Sequence, residues 1–168
     1  LGYTESLGDP ELRESIAGLY QQIAAEQVLV HAGAEEAILG FMNTALEEGD
    51  EVIVQTPCYQ SLRTLPATLG CKVHYWETRE KDGWRPDLNE LSDFVTSKTR
   101  ALVINTPHNP TGFHFSHDDF SDICGFARKH NLYLFCDEVY RLLEHDGAYR
   151  LPAACDLYEN AVSLGAVS

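Results

Sequence analysis

The chain has 168 residues, 44% of them hydrophobic and 23% charged, which suits one soluble globular domain with its own core. Its formal net charge of −14 argues against nucleic acid or an anionic membrane surface as a partner. The sequence contains no signal-like segment, no apolar run of about 18 residues, and five cysteines without a Cys-x-x-Cys motif. We therefore expect a cytoplasmic protein whose thiols stay reduced.

The first third of the chain predicts two helices separated by a strand. Asp9 followed by Pro10 provides an N-cap and a proline at the first helical position, and apolar residues then recur at helical spacing as far as Ile23. The segment Val28-Leu29-Val30-His31 predicts a strand, and a second helix is predicted to open with residues 32–36 and to continue through Leu46.

The turn formed by Gly33, Ala34 and Glu35 is a candidate binding site for a phosphate group. Small residues between a strand and a helix let the backbone approach a ligand closely. The unpaired N–H groups and the dipole of the helix favour an anion at that point. The alternative is an ordinary tight turn, in which acidic side chains complement the start of the helix.

The rest of the chain continues the alternation of strands and helices. Strands are predicted at residues 51–54, 71–76, 100–104, 132–135 and 161–165. Helices are predicted at residues 61–69 with a break near Pro66, after Asp87, and from Ser116 to Ala127, and residues 141–151 are predicted to form a surface loop. This order predicts an α/β fold with three layers, a mostly parallel sheet with helices on both faces.

Polar side chains follow two of the predicted strands at the point where each strand ends. The segment Asn105-Thr-Pro-His-Asn109-Pro-Thr-Gly follows one buried apolar run, and Asp137-Glu-Val-Tyr140 follows the next. Because ligands of open α/β sheets bind outside the carboxyl ends of the strands, we expect Asn109, Asp137 and Tyr140 to converge there. The Thr106-Pro107 and Asn109-Pro110 bonds are candidates for the cis form.

A pair of histidines, His114 and His117, lies just beyond this segment. No pattern of carboxylates or cysteines accompanies the pair. We therefore interpret both as solvated loop histidines and predict no metal site.

The motifs Asn109-Pro-Thr-Gly and Asp137-Glu-Val-Tyr140, in this order and spacing, resemble the fold-type I, pyridoxal-phosphate-dependent aminotransferases of class I/II. The resemblance extends over essentially the whole chain, and implies that residues 1–168 are the cofactor-binding large domain. Members of this family carry a lysine that binds the cofactor covalently, directly after a segment like residues 161–168, and a small C-terminal domain. We therefore expect this chain to be a central part of a longer enzyme, and the intact enzyme to be a homodimer.

The resemblance also implies two catalytic residues, Asp137 and Tyr140. A carboxylate from Asp137 would keep the ring nitrogen of pyridoxal 5'-phosphate protonated, because opposite charges at short range favour both ionised forms. Tyr140 would donate a hydrogen bond to the phenolic oxygen of the cofactor. Taken alone, Asp137 also fits a strand-end carboxylate that caps the following turn.

The same resemblance implies a larger set of cofactor contacts. Asn109 would bind the phenolic oxygen and orient the substrate carboxylate, and Tyr59 would stack on the pyridine ring. The alternative for Tyr59 is a core tyrosine at a helix start. The expected cofactor-binding residues are Gly33, Ala34, Glu35, Tyr59, Asn109, Asp137, Tyr140 and Tyr3. Tyr3 would reach the phosphate in the neighbouring subunit, or else pack as a loop aromatic on its own domain.

The sequence is compatible with three functions. The first is transfer of an amino group between an amino acid and a 2-oxo acid. The second keeps the cofactor but gives β-elimination, as in the C–S lyases of the same fold. The third is an effector-sensing domain of a transcription regulator, which would need a DNA-binding region outside this sequence. By itself the chain is expected to be inactive, since its lysines do not match the position that the family requires.

Overall fold

The computed structural model describes residues 5–167, and five strands within them form a single sheet. The strands are β1 (Glu51–Thr56), β2 (Lys72–Glu77), β3 (Thr99–Asn105), β4 (Tyr133–Asp137) and β5 (Ala161–Leu164). They lie in the order β2-β1-β3-β4-β5, and every neighbouring pair is parallel. All five carboxyl ends therefore lie along one edge of the sheet, which confirms the predicted α/β class.

Helices cover both faces of this sheet. The α-helices are α1 (Pro10–Ala17), α2 (Ala34–Ala45), α3 (Gln60–Thr68), α4 (His117–Lys129) and α5 (Ala154–Leu157). Short 3-10 helices occupy Ala25–Gln27, Glu80–Asp82, Leu88–Phe94 and Gly147–Tyr149. The helices α2 and α3 pack on one face and α4 and α5 on the other, so the predicted three layers are confirmed.

The central strands are apolar along their whole length because both of their faces are buried. In β3, Ala101 and Val103 belong to the core under α2, whereas Leu102 and Ile104 belong to the core under α4. All four side chains are almost completely buried. Burial of each of the larger side chains stabilises the fold by roughly 1.5–3 kcal/mol. Because both faces of β3 are buried, its sequence shows no alternation of polar and apolar residues.

Both predicted N-caps are present in the structure. The carboxylate of Asp9 accepts a hydrogen bond from the Leu12 N–H at 3.0 Å, and the hydroxyl of Ser116 accepts one from the Asp119 N–H at 3.1 Å. Each cap provides a partner for a backbone donor that the first turn of a helix leaves unpaired. Within residues 5–167, no helix is both long and apolar enough to cross a lipid bilayer.

The strand predicted at residues 28–31 is wrong. The segment is not part of the sheet, and Val30 donates its N–H to the Leu7 carbonyl at 3.0 Å in a loop contact. A side chain at Gly8 would collide with Val30, which explains the glycine, with φ of +106°, at this close approach. High β-propensity does not make a strand where no neighbouring strand offers a ladder of hydrogen bonds.

Two helix boundaries also differ from the prediction. Helix α1 ends at Ala17 instead of continuing to Ile23, since the N–H groups of Gln21 and Gln22 both donate to the Asp156 carboxylate at 2.8 Å. Helix α3 continues through Pro66 to Thr68, although a break was predicted. Proline removes a single N–H from the helix, and the Leu69 N–H still reaches the Leu65 carbonyl at 3.0 Å.

Candidate functional site

The ends of β3 and β4 are joined side by side at the carboxyl edge of the sheet. Asn105 and Asp137 are paired in register as the last residues of their strands. The carbonyl oxygen of Asp137 accepts the Asn105 Nδ2–H at 2.7 Å and the Thr106 N–H at 3.0 Å. The position of the Asp137 backbone is therefore fixed by two hydrogen bonds from the segment that follows β3.

Asn105 connects this strand end to the candidate residue Asn109. Its side-chain oxygen accepts the Asn109 N–H at 2.6 Å, while its amide group donates to Asp137. Asn105 is buried, and its backbone N–H is held by the Gln55 side-chain oxygen at 3.3 Å. Asn105 was not among the site residues predicted from the sequence, although its place at the end of a buried strand was a signal for such a role.

The loop around Asn109 contains both of the proline bonds that were expected to be cis. Thr106-Pro107 and Asn109-Pro110 are cis, as is Thr56-Pro57 after β1. The ring of His108 lies 2.6 Å from the Thr111 hydroxyl, and burial lowers the pKa of this histidine. The loop is therefore organised from within by polar contacts.

The carboxylate of Asp137 is buried without a charged partner. The residue is 5% exposed, and the Val139 N–H donates to its Oδ1 at 3.3 Å. Among residues 5–167 it forms no ion pair with Lys, Arg or His. Burial raises the pKa of Asp137 to about 6, and the Val139 hydrogen bond opposes this shift. The surroundings thus disfavour the charged form of Asp137 unless a cation or a donor binds beside it.

The N-terminus of α2 lies towards the same edge. Phe41 of α2 packs against Tyr133 and Phe135, so the helix lies over β4. Its first residue, Ala34, belongs to the same apolar cluster as Val139, two residues beyond Asp137. Glu35, the second residue of α2, and Asp137 both raise the pKa of Tyr59, so the helix start and the buried carboxylate lie at the same edge of the sheet.

The start of α2 has the features of an anion-binding turn. Gly33 is the N-cap, with φ of +103°, and no side chain caps the helix. A Cβ atom placed on Gly33 would meet no other atom within 4 Å, so the backbone here borders open space. The first N–H groups of a helix have no partner inside it, and those after Gly33 are left to an external acceptor.

The start of α3, which carries Tyr59, is bonded to Glu35 at the start of α2. The Ser61 hydroxyl donates to Glu35 Oε1 at 2.5 Å, which holds the two helix starts together. Tyr59, the N-cap of α3, is 46% exposed. Its interaction with the Glu35 carboxylate raises the pKa of Tyr59, and the charge of Asp137 adds to the effect. Tyr59 is therefore an exposed ring between the two carboxylates, and not the core tyrosine of the alternative interpretation.

Tyr140 follows β4 in the turn that begins after Asp137. The turn is closed by the Arg141 N–H donating to the Glu138 carbonyl at 2.8 Å, and the Tyr140 side chain is 41% exposed. The structure thus places at this edge the predicted residues Gly33, Ala34, Glu35, Tyr59, Asn109, Asp137 and Tyr140. Tyr3 lies outside the described residues.

The two histidines of the His114-x-x-His117 pair differ in their surroundings. His117 is exposed, and its ring lies 3.1 Å from the Arg150 carbonyl. His114 is half-buried, and its Nε2 atom is fully buried. The expectation of a solvated loop histidine is therefore wrong for His114, because the loop folds back on the core under α4.

The lysines of the chain are distributed away from the buried carboxylate. Lys72 is the first residue of β2, Lys98 precedes β3, and Lys129 ends α4 just before β4. These three therefore lie at the amino ends of the strands, opposite to Asp137. The fourth, Lys81, lies in the short helix after the edge strand β2.

Taken together, these features define an α/β protein with a candidate ligand site at the carboxyl edge of its sheet. One part of the site suits an anion, at the start of α2, and another suits a cationic or proton-donating group, at Asp137. Exposed aromatic rings lie beside both, as expected for a flat ligand with different charges at its two ends.

Comparison with known proteins identifies the family. The model of the family "Aminotransferase class I and II" matches residues 1–168, and the chain belongs to this family. It is 32% identical to aromatic-amino-acid aminotransferase 2 of Thermococcus litoralis, over 99% of this chain and 45% of the relative. It is 36% identical to the glutamate-pyruvate aminotransferase AlaA of Escherichia coli, over 88% of this chain and 38% of that protein.

Solved structures show the same fold. A PLP-dependent aminotransferase from Streptococcus suis superimposes with a TM-score of 0.93 at 30% identity, covering 99% of this chain and 44% of the other. The chain therefore spans less than half the length of the relatives it matches.

Proposed function

We propose that this chain is the cofactor-binding part of a longer pyridoxal 5'-phosphate-dependent aminotransferase. The intact protein would transfer an amino group between an amino acid and a 2-oxo acid. The family and the names of its members support this proposal. The observation that carries it is the Asp137 carboxylate, which is buried at the carboxyl edge without an ionic partner among the described residues and has a raised pKa.

The residues at this edge fit such a cofactor in two independent ways. The open backbone at Gly33, which no side chain caps, suits the phosphate group. The uncompensated carboxylate of Asp137 suits a protonated ring nitrogen, since binding a cation offsets the cost of burying the charge. When bound, pyridoxal 5'-phosphate supplies an electron sink for a carbanion at the substrate α-carbon.

Within this proposal Asp137 holds the proton on the ring nitrogen. Its carboxylate is kept in place by the Val139 N–H, and its backbone by Asn105 and Thr106. A negative charge held in a site of low polarity binds a proton donor more strongly than the same charge in water. Asp137 is therefore the residue on which the electron-withdrawing strength of the ring depends.

The remaining residues bind and orient. Backbone N–H groups of Gly33, Ala34 and Glu35 hold the phosphate, and the exposed ring of Tyr59 stacks on the heterocycle. Asn109 and Tyr140 donate hydrogen bonds to the phenolic oxygen, and Asn109 also orients the substrate carboxylate. Asn105 is a positioning residue, because it fixes the Asn109 backbone relative to Asp137.

We further propose that residues 1–168 are one part of the large domain of the intact enzyme. The covalent lysine, the small domain and its substrate-binding arginine would come from other parts of the intact protein. Three of the four lysines of this chain lie at the amino ends of strands, and Lys81 follows the edge strand β2. These positions support a covalent lysine that comes from another part of the intact protein. In the intact homodimer, Tyr3 would contact the phosphate bound to the neighbouring subunit.

A cytoplasmic location is part of the same proposal. All five cysteines are free thiols, and Cys71, Cys124 and Cys136 are buried. Free buried thiols are typical of proteins from reducing compartments.

The proposal is tested by titrating the chain with pyridoxamine 5'-phosphate, which requires no covalent lysine for binding. We expect Asp137→Asn to weaken binding about 10- to 100-fold, because a charge-assisted hydrogen bond contributes roughly 1.5–3 kcal/mol. The control variant is Asp122→Asn, an exposed acid on α4, which should bind as the wild type does.

A second ligand makes this test specific for the ring nitrogen. An analogue with C–H in place of that nitrogen should bind wild type and Asp137→Asn almost equally. Equal loss of affinity for both ligands would mean that Asp137 acts on the shape of the site and not on the nitrogen, and would contradict the proposed role. In the intact protein, oxo-acid-dependent amino transfer without release of pyruvate separates the aminotransferase from a C–S lyase.

A further inference from the structure

A second group of buried polar side chains lies under α4 and α5, on the face of the sheet opposite to α2. Glu138 follows Asp137 directly and is 4% exposed. Its Oε1 atom accepts the Ala154 N–H at 2.8 Å and the Ser163 hydroxyl at 2.7 Å. Its Oε2 atom is buried without a hydrogen-bond partner among residues 5–167, and the Arg141 Nε lies 3.9 Å away. One oxygen of this carboxylate is thus fully bonded and the other is not.

His114 presents a second unpaired atom in the same region. Its Nδ1 lies 2.8 Å from the Phe115 carbonyl oxygen, which can only accept a hydrogen bond. Nδ1 therefore carries the proton, and in the neutral ring Nε2 is an acceptor. This Nε2 is buried and has no partner in the described part of the chain.

Thr106 presents the third atom. Thr106 is buried directly after β3, and its hydroxyl also lacks a partner within residues 5–167. Thr106, His114 and Glu138 all line one small cavity of about 10 Å³, together with Arg141, Glu144 and Phe120. A cavity of roughly 10–15 Å³ holds one water molecule, which needs two to four polar partners.

We propose that this cavity is a binding site for a single structural water molecule. The three groups match the bonding capacity of water: Glu138 Oε2 and His114 Nε2 accept its two hydrogens, and the Thr106 hydroxyl donates to its oxygen. A metal cation fits less well, because the guanidinium of Arg141 already lies beside the carboxylate. The water joins the segment after β3, the end of β4 and the chain entering α4.

This water has a defined structural role. Thr106 and His114 lie at the two ends of the loop that contains Asn109, and Glu138 is next to Asp137. The bridge therefore holds the loop from the face opposite to the candidate ligand site. The inference does not depend on which ligand binds at Asp137.

A crystal structure of the intact protein at about 1.5 Å resolution tests the proposal directly. We expect one density peak at hydrogen-bonding distance, roughly 2.6–3.2 Å, from all three atoms. A dry cavity with Arg141 closed directly onto Glu138 would overturn the proposal. So would a metal ion with shorter bonds to the oxygens.

Variants test the bridge in solution. Thr106→Val and His114→Leu should each lower the midpoint of thermal unfolding by about 2–6 °C, since each leaves a buried water with a missing partner. His114→Gln, which keeps an acceptor near the Nε2 position, should recover part of the loss. Controls are Thr68→Val on the exposed surface of α3 and His145→Leu in an exposed loop, which should change the midpoint little.

The double variant separates a shared water from two independent contacts. If one water serves both residues, Thr106→Val with His114→Leu should cost clearly less than the sum of the single changes. Strict additivity of the two effects would contradict the bridge. Should either variant fail to fold, the crystal structure of the wild-type protein decides the question alone.

Discussion

Two carboxylates are buried in the same sheet, one at the amino ends of the strands and one at the carboxyl ends, and they differ in the partners around them. Glu51, the first residue of β1, lies 2.7 Å from His74 Nε2 and 3.6 Å from Lys72 Nζ, and accepts the Thr96 hydroxyl at 3.1 Å. The carboxylate of Asp137, the last residue of β4, accepts a single backbone N–H among the described residues, that of Val139. The hydrogen bond with His74 lowers the pKa of Glu51, whereas burial raises the pKa of Asp137 to about 6.

The difference separates an acid whose partners lie within the domain from one that we propose to bind a ligand. Glu51 finds its cationic and hydrogen-bonding partners within the domain, so its charge helps to hold β1 and β2 together. Asp137 lacks such a partner within residues 5–167, so its charge destabilises the fold until a ligand compensates it. Acids kept at a cost to stability are typical of binding and catalytic sites.

The largest expected effect on stability comes from Asn105, which holds the backbone around Asp137. Asn105→Ala removes one of the two donors to the Asp137 carbonyl, which keeps the Thr106 N–H, and leaves the Asn109 N–H without its acceptor. We expect a loss of about 2–4 kcal/mol in the free energy of unfolding, because an unsatisfied buried group costs roughly 1–3 kcal/mol and a lost hydrogen bond roughly 0.5–1.5 kcal/mol. Urea unfolding of the chain measures this loss.

The control for Asn105 is Asn43→Ala on the exposed surface of α2, where the side chain bonds only to its own helix. Its free energy of unfolding should change by less than about 0.5 kcal/mol. An Asn105→Ala protein as stable as this control would show that the bridge between β3 and β4 contributes nothing.

The hydrogen bond from Asn105 to Asp137 also shows which contacts cannot be predicted from the sequence. The positions of Asp137 and Asn109 at the carboxyl edge of the sheet were predictable, because each follows a buried apolar run that reads as a parallel strand. The bond from Asn105 to Asp137 depends on the register of β3 against β4, and the contact between Glu51 and His74 depends on that of β1 against β2. Register is set by long-range packing, which a single sequence does not display.

The errors of prediction have the same physical origin. Residues 28–31 have the composition of a strand but no neighbour in the sheet, and Pro66 remains within a helix held by its buried face. In both places tertiary contacts override local propensity.

The second prediction concerns Asp137 in the absence of any ligand. Since its pKa is higher in the folded chain than in the unfolded chain, the folded state binds more protons between about pH 4 and pH 6. Stability contributed by this group is therefore lost as the pH rises through that range. Asp137→Asn should be more stable than the wild type at pH 7, by on the order of 2 kcal/mol.

The pH dependence provides the control for Asp137→Asn. Below about pH 3 the wild-type carboxyl is protonated in both states, and the two proteins should unfold at nearly the same urea concentration. A variant that is less stable than the wild type at pH 7 would show that the Asp137 charge is already compensated within the domain.

The smallest effect, and the one of opposite sign, is expected at Glu51. Its pKa is lowered in the fold, so its contribution to stability is present above the unfolded value, roughly 4.3, and is lost as the pH falls through the lower folded value. Glu51→Gln should therefore lower the urea midpoint at pH 7, and the difference from the wild type should shrink in acid. The exposed Glu90→Gln serves as the matched control. Glu51→Gln could instead raise the stability at pH 7, as expected for Asp137→Asn. The two acids would then not differ in the way that their contacts indicate, and the lack of a partner for a buried acid would no longer mark the proposed ligand site of this sheet.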